Sequence, residues 1–175
     1  MHIWVRAEVR DFEKRVGITP EAVAKLIAEG FEITIEESKH RAIPIKNYQN
    51  SGANIAPANS WQSAPLDALI FGLKELPGNI NSLKHKHIMF GHAYKGQDGA
   101  NKLLGKFKNG GGALYDLEYL LDKNNLRIAA FGYWAGFSGA AVGLKVWLHQ
   151  QTNNLLGPKK INVYSSRNEL VQELI

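Results

Sequence analysis

The sequence predicts an α/β fold with a mainly parallel sheet flanked by helices. Two observations support this class. A strand over residues 2–8, a helix over 19–29 and a strand over 31–37 follow one another, which is the order of a right-handed βαβ unit. Two short apolar runs, 69–72 and 88–91, are typical of strands that are buried on both faces.

The individual elements have their own local signals. In the first helix Thr19 is a capping residue, Pro20 suits the first helical position, and Gly30 provides a left-handed stop. The strand after it alternates Phe and Ile with Glu and Thr. Further along, the patterns indicate a short helix over 43–51, a short strand over 53–56, and a helix over 99–108 that a run of three glycines ends.

The C-terminal third is predicted to contain two strands and a long helix. Residues 113–121 and 126–131 have strand patterns and are joined by a turn over 122–125. Residues 133–151 place Ala and Gly repeatedly along a helix. Because glycine weakens a helix, we expect this one to pack closely against another element through its small face. Another helix begins near residue 168.

Composition excludes several classes of protein. The chain has 175 residues, 45% of them hydrophobic, a net charge of +5 and no cysteine. A disulfide framework or a cysteine-based metal site is therefore excluded. The apolar runs are too short to span a membrane, and the N-terminus lacks a signal-peptide pattern. Since the basic residues are scattered, we expect no nucleic acid as a partner. The short apolar runs predict no membrane partner, and the absence of cysteine is compatible with a reducing cytoplasm, where we expect the protein to be located.

Two proton-transfer side chains lie directly after the two apolar strands. Lys74 follows the first run and His92 follows the second. In open α/β sheets, ligands bind at the carboxyl ends of the strands. Imidazole suits acid–base work near neutral pH, and a lysine partly removed from water can act as a base. Each residue alone has an ordinary alternative, a solvated lysine or a structural histidine, but their matched positions favour a catalytic pair.

Other charged residues are candidates for substrate binding and charge tuning. Arg15 and Arg127 carry guanidinium groups, which match the geometry of a carboxylate substrate. Glu75 and Glu118 can add negative charge beside the lysine and the histidine. For all four, an ordinary surface position is the alternative.

Motifs for metals and phosphates are missing from the sequence. His85 and His87 share a strand face, but no third ligand stands near them, so no metal site is expected. The glycine run at 110–112 is not followed by the Lys-Ser/Thr of a phosphate loop, and no G-x-G-x-x-G occurs.

Several segments, in collinear order, resemble one enzyme family. The chain is similar to the N-terminal half of NAD-dependent, lysine-forming saccharopine dehydrogenases, within the superfamily of alanine dehydrogenase and the transhydrogenase N-terminal domain. The resemblance covers residues 1–151. The segments that carry it are Val5-Arg6-Ala7-Glu8, Glu13-x-Arg15, Ile18-Thr19-Pro20, Gly72-Leu73-Lys74-Glu75, Phe90-Gly91-His92-Ala93-Tyr94-Lys95, Leu114-Tyr115-Asp116-Leu117-Glu118 and Arg127-x-Ala129-Ala130-Phe131-Gly132.

This resemblance implies a Rossmann-like or flavodoxin-like fold and an oxidation in which saccharopine, NAD and water give lysine, 2-oxoglutarate and NADH. It implies that Lys74 accepts the proton of the substrate amine, and that His92 is the acid–base group for the addition of water. The other roles it implies are substrate binding by Arg15, Gln97 and Phe131, charge tuning by Glu75 and Glu118, and contact of Arg127 with the cofactor or the substrate.

The resemblance also implies a division of the chain into a catalytic domain (1–132), a long Gly/Ala-rich linker helix (133–151), and a linker that starts a following region (152–175). Family members continue into a Rossmann domain, so NAD is expected to bind mostly outside this chain. That domain would be an intramolecular or a split partner, and the chain alone is expected to be inactive. Two alternatives remain: a non-catalytic metabolite-binding module, and a relative that acts on another amino acid such as alanine.

Overall fold

The computed structural model describes residues 1–130, 132–152, 164 and 166–172. The chain divides into two compact units, Met1–Arg127 and Ile128–Ile175. The first unit holds a six-stranded sheet and three α-helices, and the described part of the second unit holds two α-helices. Among the described residues, no helix is long and apolar enough to cross a membrane.

The sheet of the first unit is entirely parallel. Its strands are β1 (His2–Val5), β2 (Glu32–Glu36), β3 (Asn54–Ala56), β4 (Leu69–Phe71), β5 (Lys86–Met89) and β6 (Ala113–Asp116). Their order is β3-β2-β1-β4-β5-β6. The chain therefore builds outward from β1 to one edge, returns to the other side of β1, and builds outward again. This confirms the predicted α/β class and creates a switch point between β1 and β4, where open sheets of this kind bind ligands.

Helices cover the sheet where the sequence predicts crossovers. They are α1 (Pro20–Ala28), α2 (Ile45–Asn50) and α3 (Ala100–Gly110). The Thr19 hydroxyl accepts a hydrogen bond from the Ala22 amide at 3.3 Å, as a capping residue does. Gly30, with φ of 87°, makes the left-handed turn that leads into β2.

Apolar side chains from the strands fill a core on each face of the sheet. One core contains Trp61, Ile70, Leu83, Met89 and Phe107, and the other contains Val5, Val23, Ile33, Ile35 and Tyr48. Each fully buried aliphatic side chain contributes about 1.5–3 kcal/mol relative to an exposed one. Burial on both faces explains why the strands read as short continuous apolar runs.

The structure corrects the predicted strands after residue 113. β6 ends at Asp116, because its carboxylate accepts a hydrogen bond from the Glu118 amide and starts a 3-10 turn, Leu117–Tyr119. The strand predicted over 126–131 is wrong for its described part, which contains only an isolated bridge between Leu121 and Arg127. The apolar residues of that pattern do not reach a core, since Leu126 is 65% exposed.

The second unit contains α4 (Tyr133–Gln151) and α5 (Arg167–Gln172). Helix α4 occupies the segment in which the Ala and Gly pattern predicts a long helix. Within this unit, no described atom lies within 4 Å of a Cβ built at Gly136, Gly139 or Gly143. Close packing through the small face of α4 therefore stays a prediction, as do the domain boundaries at 132 and 151.

Candidate active site

The candidate site lies at the carboxyl ends of β1, β4 and β5. The backbone ladder between β4 and β5 continues past both strands: the Gly72 amide donates to the Ile88 carbonyl at 3.0 Å, and the Phe90 amide donates to the Leu73 carbonyl at 3.2 Å. Lys74 comes directly after Leu73, and His92 comes two residues after Phe90. The fold thus brings the two predicted catalytic residues to adjacent positions on the same edge of the sheet.

The backbone of Lys74 is held by two buried residues at the end of β1. The Glu8 carboxylate accepts hydrogen bonds from the Leu73 amide at 2.7 Å and from the Lys74 amide at 2.9 Å. The Arg6 guanidinium donates to the carbonyls of Lys74 and Ala7. Arg6 Nη1 and Glu8 Oε2 lie 3.5 Å apart, and their side chains are only 1% and 7% exposed.

A second buried carboxylate fixes the same end of β1. Glu36, at the end of β2, is fully buried. It accepts hydrogen bonds from the backbone amides of Ala7, Asn59 and Trp61 at 2.8, 2.9 and 2.6 Å, and from the Trp4 indole at 3.1 Å. This carboxylate therefore joins β1, β2 and the loop after β3, and leaves none of its oxygens for a ligand.

Arg15 lies in the loop between β1 and α1, paired with a buried carboxylate. Its Nε and Nη2 atoms donate to the two oxygens of Glu13 at 2.8 and 2.6 Å. These hydrogen bonds, with a further contribution from the charge of Lys74, lower the pKa of Glu13. The Arg15 side chain is itself 51% exposed. Glu13 thus orients a solvent-accessible guanidinium on the same side of the sheet as Lys74.

His92 is held by a carboxylate that it shares with a lysine. Its Nδ1 atom lies 3.6 Å from Glu118 Oε1, and Lys95 Nζ lies 3.6 Å from Glu118 Oε2. The Glu118 side chain is 12% exposed, whereas that of His92 is 47% exposed. His92 has a positive φ of 49°, a conformation that is uncommon for residues other than glycine and is often found at functional sites. The imidazole therefore has one nitrogen beside Glu118 and a ring open to solvent.

The other residues predicted for the site are Glu75, Gln97, Arg127 and Phe131. The Glu75 Oε1 atom lies 3.4 Å from the Arg10 Nη1 atom, and both side chains are more than half exposed. The Gln97 amide oxygen accepts a hydrogen bond from the Lys95 amide at 2.8 Å. Arg127 is exposed and pairs through its backbone with Leu121 at the end of the first unit. Phe131 lies outside the described residues.

Four residues in this arrangement were given no role by the sequence alone: Arg6, Glu8, Glu13 and Lys95. All four lie in segments that carry the family resemblance, but neither those segments nor local patterns assigned them a role. Lys95 stands three residues after His92, and only the fold shows that both reach Glu118.

Two cavities adjoin the sheet among the described residues. The smaller, of 330 Å³, is lined by His92, Glu75, Asp98, Lys102 and Lys106 together with apolar side chains. The larger, of 630 Å³, is lined mainly by apolar and tyrosine side chains, and its lining includes Met1, Leu69 and Lys86 at the amino ends of β1, β4 and β5. Because a charged ligand needs polar partners, the smaller cavity has the more suitable lining of the two; this lining includes His92 and Glu75 but neither Lys74 nor Arg15. Among the described residues, no group of three or more His, Cys, Asp or Glu side chains could hold a metal ion.

A family model described as alanine dehydrogenase/PNT, N-terminal domain, matches residues 4–138. The chain belongs to this family. It is 50% identical over 160 residues to a saccharopine dehydrogenase (NAD⁺, L-lysine-forming) of Schizosaccharomyces pombe, covering 91% of this chain and 42% of that protein. It is 42% identical over 181 residues to the protein of the same name from Candida albicans, covering 97% of this chain and 47% of that protein. The chain therefore spans less than half the length of these relatives.

Solved structures of the family share the fold. An L-alanine dehydrogenase matches with a TM-score of 0.61 at 16% identity, covering 87% of this chain and 42% of that one. A transhydrogenase from Sinorhizobium meliloti matches with a TM-score of 0.54 at 20% identity, covering 70% of this chain and 36% of that one. At these identities the similarity supports the fold of the chain only, and the chemistry must be argued from the site residues.

Proposed function

We propose that this chain is the catalytic, substrate-binding part of an NAD-dependent, lysine-forming saccharopine dehydrogenase. The observation that carries the proposal is the placement of Lys74 and His92 at neighbouring strand ends, in a chain whose relatives bear that name. The reaction would convert saccharopine, water and NAD⁺ into lysine, 2-oxoglutarate and NADH.

The described residues do not fit the dinucleotide itself. A dinucleotide pyrophosphate usually lies on a glycine-rich turn between the first strand and the first helix. In this chain that connection carries the buried carboxylates of Glu8 and Glu13, and its sequence has no G-x-G-x-x-G. A bound NAD⁺ would supply a hydride acceptor, and we expect it to be held mainly by a Rossmann domain outside this chain. The steps below therefore concern proton transfer and substrate binding only.

Lys74 is proposed as the base that takes the proton from the secondary amine of the substrate. Its backbone is fixed by Arg6 and Glu8, and it follows β4, one of the two strands at the switch point of the sheet. Removal of this proton accompanies oxidation of the amine to an imine. A positioned general base of this kind typically accelerates a reaction by about 10²–10⁴-fold.

His92 is proposed as the acid–base group for the hydrolysis that follows. Water adds to the imine carbon and loses a proton, and the resulting carbinolamine breaks its C–N bond as the leaving amine gains a proton. His92 can accept the first proton and donate the second, since its ring is exposed and Glu118 holds its Nδ1 side. Glu118, beside His92, and Glu75, which pairs with Arg10, are proposed to tune the charge around the lysine and the histidine.

Arg15 is proposed to bind a substrate carboxylate. Glu13 holds the guanidinium by two hydrogen bonds and leaves the side chain half exposed, so an incoming carboxylate can reach it. Gln97, Phe131 and Arg127 are proposed as further binding residues on the basis of the family resemblance alone.

The test is a fusion of this chain to the part of the Schizosaccharomyces pombe relative that lies beyond the matched region. We expect the fusion to form NADH from saccharopine and NAD⁺. Turnover of alanine with none of saccharopine would assign the chain to another branch of the family. A fusion that binds saccharopine by calorimetry but never forms NADH would instead favour a non-catalytic binding module.

A further inference from the structure

We infer that Arg6 and Glu8 are positioning residues for Lys74, forming a buried clamp that fixes the backbone from which the lysine side chain extends. The inference rests on the proposed function only in taking Lys74 as a catalytic group. The clamp itself follows from contacts at the end of β1 and the end of β4.

The two residues hold both polar groups of the Lys74 backbone. Glu8 accepts the Lys74 amide at 2.9 Å and the preceding Leu73 amide at 2.7 Å. Arg6 donates to the Lys74 carbonyl. A strand end beyond its last ladder bond would ordinarily leave these groups to water or to a flexible loop. Here they are bound by charged side chains, whose hydrogen bonds are stronger than those between neutral groups.

The clamp cannot act by touching the substrate. The Arg6 and Glu8 side chains are 1% and 7% exposed, so a ligand at the sheet edge does not reach them. Arg6 also donates to the Ala7 carbonyl at 3.3 Å, while its buried Nε atom has no hydrogen-bond partner among the described residues. Any effect of these residues on catalysis must pass through the position of Lys74.

Gly72 makes room for the clamp. A Cβ built at this residue would lie 2.4–2.6 Å from three guanidinium atoms of Arg6. The missing side chain at this position lets the Arg6 guanidinium pass close to the Gly72 backbone and reach the Lys74 carbonyl. In the segment Gly72-Leu73-Lys74, Gly72 leaves space for the guanidinium, the Leu73 amide donates to Glu8, and Lys74 is the proposed base.

The first test measures hydrogen exchange on the 175-residue chain. In Glu8→Gln one side-chain oxygen is replaced by an amide nitrogen that cannot accept a hydrogen bond. Since one acceptor oxygen remains, we expect at least one of the Leu73 and Lys74 amides to exchange about 10- to 100-fold faster relative to the amides within β4, the range set by losing a hydrogen bond to a charged group. Tyr48→Phe is the matched control, because it removes a buried hydrogen bond to Ile18 in the opposite core. It should change Leu73 and Lys74 no more than β4.

The second test separates positioning from stability. In the double variant Arg6→Met/Glu8→Gln the buried charges are removed together, which typically restores the stability lost when one partner of a buried pair is removed. In the fusion enzyme we expect this variant to recover the melting temperature relative to Glu8→Gln, yet to keep kcat about 10- to 100-fold below wild type with little change in KM, since small displacements of a catalytic group cost about this much.

Two results would overturn the clamp. One is exchange of the Leu73 and Lys74 amides in step with β4 in Glu8→Gln. The other is a double variant that regains wild-type kcat together with its stability, which would assign Arg6 and Glu8 a structural role only. If the wild-type fusion does not oxidise saccharopine, the proposed function fails, while the exchange measurement still decides the clamp.

Discussion

Lowering the pH from 7.5 to 5 should destabilise the first unit through His87. This residue lies on β5 and is 1% exposed. Its ring packs edge-on against Trp61 and Phe107, with centroids 5.1 and 5.4 Å away. Neither ring nitrogen has a hydrogen-bond partner among the described residues. Burial, reinforced by the positive charges of Arg6 and His85, lowers the pKa of His87 to about 3.

The size of the effect follows from the difference between the folded and unfolded pKa. The unfolded chain takes up a proton on His87 below pH 6.5, whereas the folded chain does so only near pH 3. Stability is therefore lost as the pH falls through this window, by about 1.4 kcal/mol per unit. At pH 5 the loss is about 2 kcal/mol, a large share of the roughly 5–15 kcal/mol that stabilises a typical domain. The lowered pKa of Glu13 acts in a separate window, below its ordinary value of 4.5.

Urea unfolding at pH 7.5, 6 and 5, followed by tryptophan fluorescence, measures this loss. His87→Leu should remove most of the decrease between pH 7.5 and pH 5 without lowering stability at pH 7.5, since it takes away two buried nitrogens that lack partners. His40→Asn removes an exposed histidine and is the matched control. An undiminished pH dependence in His87→Leu would refute the reasoning.

Three further outcomes are expected. Glu36→Gln should lower the free energy of unfolding by about 3 kcal/mol, because an amide cannot accept all of the hydrogen bonds that Glu36 now accepts. Urea unfolding measures this loss, with Glu32→Gln as the exposed control. A small and equal effect of both substitutions would contradict the expectation. Arg15→Ala should raise the KM of the fusion enzyme for saccharopine and leave kcat within a few-fold, whereas a fall in kcat alone would place Arg15 in the chemical step. The 175-residue chain alone should form no NADH from saccharopine and NAD⁺, and measurable turnover by the purified chain would overturn the proposed division between substrate and cofactor binding.

The sequence was most informative where one residue type has one physical meaning. Thr19-Pro20 and Gly30 mark the ends of α1 because capping and a left-handed turn are local requirements. The apolar runs that contain Ile70 and Met89 indicate strands buried on both faces, and the fold places both residues in the core. From two such runs in sequence, the shared edge of Lys74 and His92 could be predicted.

Side-chain partners across the sheet could not be predicted in the same way. The hydrogen bonds from Leu73 and Lys74 to Glu8 join residues 65 and 66 positions apart, and no local pattern encodes such a pair. The same holds for His92 and Glu118, which depend on β5 and β6 being neighbours. The strand predicted over 126–131 was wrong, in its described part, for a related reason. The sequence has the apolar pattern of a strand, but Leu126 is exposed and packs into no core.

A double-mutant cycle on Lys74 and His92 in the fusion enzyme tests the central claim, that these two residues form one proton-transfer unit. Lys74→Met and His92→Gln should each lower kcat for saccharopine oxidation by about 10²–10⁴-fold. Their combination should lose much less than the product of the two, since groups that act as a unit are not additive. Circular dichroism of each variant checks that the fold is kept. Fully multiplicative losses in folded variants would contradict the account.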